Sequence, residues 1–130
     1  MSDKRLLIVD DQPALGEIVR RTAVGLGYDV KVTTHGEEFM AVFDDFNPTA
    51  IVLDIVMPDI DGIELVAWLV DRECSARILV ASGYNKRYAK MAETLGIAKG
   101  LEIGFLEKPY RIAELRDALV GVKPVRAHQD

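Results

Sequence analysis

Asp10 and Asp11 follow the apolar run Leu6-Leu7-Ile8-Val9, and Asp54 follows a second, Ala50-Ile51-Val52-Leu53. Ser82 follows a third, Ile78-Leu79-Val80-Ala81, and Lys108, before Pro109, follows a fourth, Ile103-Gly104-Phe105-Leu106. Each run reads as a buried strand that delivers a polar residue at its carboxyl end. In an open parallel sheet those ends converge on one crevice. The spacing therefore places three carboxylates, a hydroxyl and an ammonium in one small site. Packed carboxylates repel one another and invite a hard divalent cation. Taken alone, Asp10-Asp11 reads more simply as a cap on the following helix, and Asp54 as a loop residue near Pro58. The conjunction of all five residues after four separate strands favours the shared site.

The elements that position these residues alternate along the chain. Lys4 to Val9 fits a strand buried on both faces. Pro13 suits a first helical turn, and Leu15, Ile18, Val19, Thr22, Ala23 and Leu26 recur at helical spacing up to Gly27. Tyr28 to Thr33 alternates as a strand, with Tyr28, Val30 and Val32 on one side. Glu37 to Phe46 reads as a helix with Phe39, Met40, Val42 and Phe43 inward, stopped by Asn47-Pro48. A loop over Pro58-Asp59-Ile60-Asp61-Gly62 leads to a helix ending near Arg72, with Leu65, Val66 and Leu69 inward. Arg77 to Ala81 is a strand, Tyr84 to Lys99 a helix closed by Gly100, Leu101 to Leu106 a strand and Arg111 to Val120 a helix. Five strands alternating with five helices mean an α/β fold with a parallel sheet and helices on both faces.

The 130 residues suit one domain, with residues 1–122 folded and 123–130 a frayed tail or the start of a linker. A chain of that size buries roughly 70% of its unfolded surface. The apolar fraction of 49% and charged fraction of 28% read as globular. A net charge of -5 argues against direct nucleic-acid binding. No apolar run is long enough to span a membrane, and Met1-Ser2-Asp3-Lys4-Arg5 lacks a signal-peptide core. Cys74 is the lone cysteine, which excludes an internal disulfide and fits a cytoplasmic location.

With Asp10-Asp11, Asp54 with Met57-Pro58 and Asp61-Gly62, Ser82-Gly83 and Lys108-Pro109 in place, residues 4 to 121 resemble the response-regulator receiver domain of two-component signalling. The resemblance implies a flavodoxin-like sheet of strand order 2-1-3-4-5. It implies that Asp54 accepts a phosphoryl group from a histidine kinase or histidine phosphotransfer protein. Asp11, Asp54 and the backbone carbonyl of Val56 would hold Mg²⁺, with Asp10 reached through water. Ser82 and Lys108 would contact the phosphoryl oxygens, and a cis peptide before Pro109 would aim the lysine. The chemistry agrees: Mg²⁺ takes few carboxylates plus phosphate oxygens, phosphoryl transfer needs positioning and charge neutralisation, and an aspartate can carry a covalent phosphoryl group. On this resemblance the module would catalyse its own phosphorylation and dephosphorylation and would not be an enzyme acting on a metabolite.

Three departures from the family pattern stand out. Phe105 takes the place of the switch aromatic, so a switch with Ser82 must be steric. The stretch from Gly96 to Lys108 is longer than usual, and Gly100 and Gly104 suggest a longer fourth helix and a reshaped fifth strand. Val56 and Tyr84 are apolar where some receivers carry groups that assist water, so the acyl phosphate should persist. The output face is expected on the fourth helix, fifth strand and fifth helix, serving an output partner or a fused effector domain. A homodimer through it is compatible with the sequence. Two other classes compete: a phosphorylation-independent interaction module, and an aspartate-nucleophile phosphohydrolase. Retention of all five site residues counts against the first. Ile55-Val56 after Asp54 counts against the second, because the Asp-x-Asp pair is absent. His35 is read as a solvent-facing loop histidine without a carboxylate neighbour, Trp68 as a helix residue partly covered by its neighbours, and Arg20-Arg21 as solvated.

Overall fold

The computed structural model describes residues 4–54, 62–82, 90, 94 and 100–120, with residues 62, 63 and 82 described by backbone alone. In chain order these are β1 (Arg5–Val9), α1 (Pro13–Gly25), β2 (Asp29–Thr33), α2 (Gly36–Phe46), β3 (Ala50–Asp54), α3 (Gly62–Asp71), β4 (Arg77–Ser82), β5 (Glu102–Glu107) and α4 (Ile112–Val120). The helix expected over 84–99 lies outside the described residues except at Lys90 and Thr94, both helical. Residues 55–61 and the tail from 121 lie outside them too.

The strands form one parallel sheet of order β2-β1-β3-β4-β5. β3 is buried at every residue and β1 at all but its first, as strands covered on both faces must be. Alternation sends Leu7, Val9, Ile51, Leu53, Ile78 and Val80 to one side, where Phe39 of α2 and Leu65, Val66 and Leu69 of α3 cover them. Leu6, Ile8, Ala50, Val52, Leu79 and Leu106 face the other side, under Val19 and Ala23 of α1 and Leu115 and Leu119 of α4. The described residues thus form two cores separated by the sheet.

Local signals explain the helix ends. α1 starts at Pro13, and its N-cap Gln12 makes no side-chain cap bond, so the acids before it do not serve as the cap. It ends in a Schellman arrangement: Gly27 sits at φ 94°, its N–H donates to the Val24 carbonyl, and the Tyr28 N–H donates to that of Ala23. α2 ends at Asn47, left-handed at φ 51°, with the Arg5 Nε donating to the Asn47 carbonyl at 2.7 Å. Trp68 is half-buried as expected: it meets Phe43 edge-on at 5.3 Å and lies 4.2 Å beneath the Arg72 guanidinium. Arg72 also reaches Asp44 at 3.0 Å, tying α3 to α2.

Two expectations need correction. β5 is not reshaped; it runs in register beside β4 from Arg77↔Glu102 to Ser82↔Glu107. A Cβ at Gly104 would stand 2.7 Å from Nη2 of Arg77, the end of a flexible side chain that lies across it. His35 is solvent-facing and outside the helix as expected, but it does have a carboxylate beside it. It is the N-cap of α2, exposed, with Nδ1 4.0 Å from Glu38 Oε1, because one helical turn brings residues three apart together. Arg21 is exposed as expected and Arg20 partly so, and both pair with Glu17.

Candidate functional site

The register builds the site. Val9 stands opposite Leu53, so Asp10, one residue past β1, falls beside Asp54, the last residue of β3. Asp54 stands opposite Ala81, and Ser82 opposite Glu107. The carboxyl ends of β1, β3, β4 and β5 therefore meet at one edge of the sheet. Oxygens of Asp10, Asp11 and Asp54 lie within 4.8 Å of one another. Asp10 and Asp54 are buried, at 3% and 6% exposure, and Asp11 is exposed.

Each group is held by local chemistry. The Asp10 N–H donates to the Thr33 carbonyl at 3.1 Å, and its Oδ1 accepts the Gln12 N–H at 2.9 Å. Thr33 is fixed in turn by its hydroxyl, which donates to the Ile8 carbonyl at 2.7 Å. Lys108 enters from the end of β5, with its Nζ 3.3 Å from Asp54 Oδ1 and 3.6 Å from Asp10 Oδ2. The Lys108–Pro109 peptide is cis, as the resemblance implied. Three carboxylates still outnumber this ammonium, so the arrangement favours a further cation.

The structure brings Asp10, Asp11, Asp54 and Lys108 together. Ser82 ends β4 at the same edge, its side chain outside the described atoms, and Val56 and Tyr84 are outside the described residues. Phe105 stands opposite Val80 and is 40% exposed. One residue at the site escaped the sequence reading. Tyr110 packs against the core beneath α1 and α4. Burial, then the charges of Asp10 and Asp54, push its phenol up to about 12. Its place directly after Lys108-Pro109 was the available signal.

A five-stranded parallel sheet with an acidic cluster and a lysine at its carboxyl edge defines a receiver-type α/β fold. The response regulator receiver domain model matches residues 6–120, and the chain belongs to that family. It is 32% identical over 124 residues to the transcriptional regulatory protein TrcR of Mycobacterium tuberculosis, covering 95% of this chain and 47% of TrcR. It is 31% identical over 117 residues to the positive alginate biosynthesis regulatory protein of Pseudomonas aeruginosa, covering 88% of this chain and 45% of that one. The chain thus spans about half the length of these relatives. Among solved structures it resembles the chemotaxis response regulator CheY4 of Vibrio cholerae, at 26% identity and a TM-score of 0.80, covering 94% of this chain and 100% of that one. It also resembles the response regulator TrrA of Thermotoga maritima in complex with Mg(2+)-BeF, at 24% identity and a TM-score of 0.78, covering 92% and 99%. The expectation of no direct nucleic-acid contact gains no support here, since TrcR is named a transcriptional regulator. No helix among the described residues is long and apolar enough to cross a membrane.

Proposed function

We propose that residues 1–122 form a cytoplasmic, phosphorylation-controlled signalling receiver whose phosphoacceptor is Asp54. The observation that carries this reading is the Lys108 ammonium set between Asp54 and Asp10, beside Asp11. A carboxylate oxygen of Asp54 attacks phosphorus in the phosphohistidine of a kinase or phosphotransfer protein. The new O–P bond forms as the N–P bond breaks, and the imidazole nitrogen keeps the electron pair. Lys108 lies where it can neutralise the transferred group, and the Ser82 hydroxyl is its hydrogen-bonding companion. Catalysis is confined to this self-modification and its reversal by water.

The acidic cluster fits Mg²⁺, which when bound supplies charge neutralisation for the phosphoryl oxygens. Asp11, Asp54 and the Val56 carbonyl are the direct ligands in this reading. Asp10 is engaged at one oxygen by the Gln12 N–H and faces Lys108 with the other, which supports its role through water. Phosphorylation biases Ser82 and Phe105, and with them the face formed by the segment over 84–99, β5 and α4. That face serves an output partner, a fused effector domain or a second copy of the chain. In a transcription regulator of TrcR's kind, any nucleic-acid contact falls to the output side.

Acetyl phosphate with Mg²⁺ should add one phosphoryl group to the wild-type chain and none to Asp54→Asn, read by intact-protein mass spectrometry. Undiminished labelling of that variant would refute the assignment. The acyl phosphate should decay faster once Val56 and Tyr84 are both replaced by polar residues.

A further inference from the structure

Two helices start at the acidic site. α1 begins just after Asp11, and α4 begins just after Lys108-Pro109-Tyr110. Both run to the opposite end of the sheet, where one side chain joins them. The Tyr28 hydroxyl donates to the Leu119 carbonyl at 3.0 Å in a buried setting. Tyr28 thus bonds a carbonyl near the far end of the described helix from an element 91 residues away in the chain.

Tyr28 is itself buried and bonded on several sides. It is 6% exposed and packs in one core with Val19 and Ala23 of α1 and Leu115 and Leu119 of α4. Its backbone completes the Schellman arrangement that ends α1, through the bond from its N–H to Ala23. The Lys4 ammonium stands 5.7 Å from the ring centroid and donates to the Leu26 carbonyl at 3.2 Å. Across the sheet, by contrast, Phe105 is 40% exposed on an edge strand.

We propose that Tyr28 locks α1 and α4 into one frame, so that a phosphoryl group at Asp54 moves the Phe105 side of the sheet while the end of α4 stays fixed to α1. The position of Leu119 relative to α1 is then independent of phosphorylation, and the signal leaves through an altered surface on the Phe105 side. This inference rests on the phosphoacceptor reading for its moving half and on the Tyr28–Leu119 bond for its fixed half.

Amide hydrogen exchange on the full chain separates the two, comparing wild type, Tyr28→Phe and Lys4→Met with and without Mg²⁺ and beryllofluoride. In the wild type the mimic should change exchange within 102–110 and leave Ala118, Leu119 and Val120 unchanged. In Tyr28→Phe without the mimic, those three amides should exchange about two- to tenfold faster, the range expected for one lost hydrogen bond. With the mimic, the response should spread to them. Lys4→Met, which keeps the hydroxyl, should behave as the wild type. A response at 118–120 in the wild type overturns the lock, as does unchanged exchange there in Tyr28→Phe. No response anywhere in the wild type instead overturns the phosphoacceptor reading, and the moving half with it, while the Tyr28→Phe comparison still decides the anchor.

Discussion

Lys108 competes with any cation for the same carboxylates, because its Nζ already lies 3.3 Å from Asp54 and 3.6 Å from Asp10. Lys108→Ala should therefore tighten Mg²⁺ binding in the absence of phosphate, by of order tenfold, while slowing phosphorylation by acetyl phosphate. Weaker Mg²⁺ binding in a titration of that variant would show that the ammonium does not oppose the metal. Tyr110 reports the same charges by another route. Its phenol, held at about 12 by burial and by Asp10 and Asp54, stands above the ordinary value of about 10. Between those two pH values the folded protein keeps a proton that the unfolded chain has lost, so stability falls as pH rises through that window. Asp54→Asn removes one repelling charge, and the ultraviolet absorption of the Tyr110 phenolate should then appear at lower pH than in the wild type. At this scale the sequence was informative where polar residues end apolar runs. It pointed to Tyr110 only through its place after Lys108-Pro109, and its nearness to Asp10 and Asp54 emerges only in the folded chain.

At the scale of elements, α2 and α3 are joined by an aromatic layer and one arginine. Phe39 is fully buried, with its ring 6.0 Å from Phe43 and 6.3 Å from Trp68. Phe39→Ala should cost about 3–5 kcal/mol in denaturant unfolding, through lost transfer energy and the cavity left behind. Arg72→Ala removes a partly exposed pair with Asp44 and a stacked cation, so its cost should stay within about 1 kcal/mol. It should still shift Trp68 fluorescence, because it uncovers the indole. The strands and helix faces were legible because β1 and β3 are uninterrupted apolar runs and α3 carries its stripe at helical spacing. β5 was misread because a glycine inside a strand signals a bend from sequence alone, whereas the register pairs Gly104 regularly with Leu79. The partnership of Tyr28 with Leu119 was hidden because the two stand 91 residues apart in the chain.

For the whole molecule, the sheet is both wall and scaffold. Beryllofluoride with Mg²⁺ should change hydrogen exchange mainly between Gly83 and Tyr110, and Phe105→Ala should abolish that change without abolishing phosphorylation of Asp54. Changes centred on Trp68 would move the output to α3. The two cores on either side of the sheet share no side chains. Substitutions far apart and without common partners combine additively. Changes beneath α2 and α3 should thus sum with changes beneath α1 and α4, whereas pairs within one core should not. Such a molecule can drift in sequence as two nearly separate populations of residues. One can be reworked to suit a new listener while the other preserves the frame that holds the acids in place.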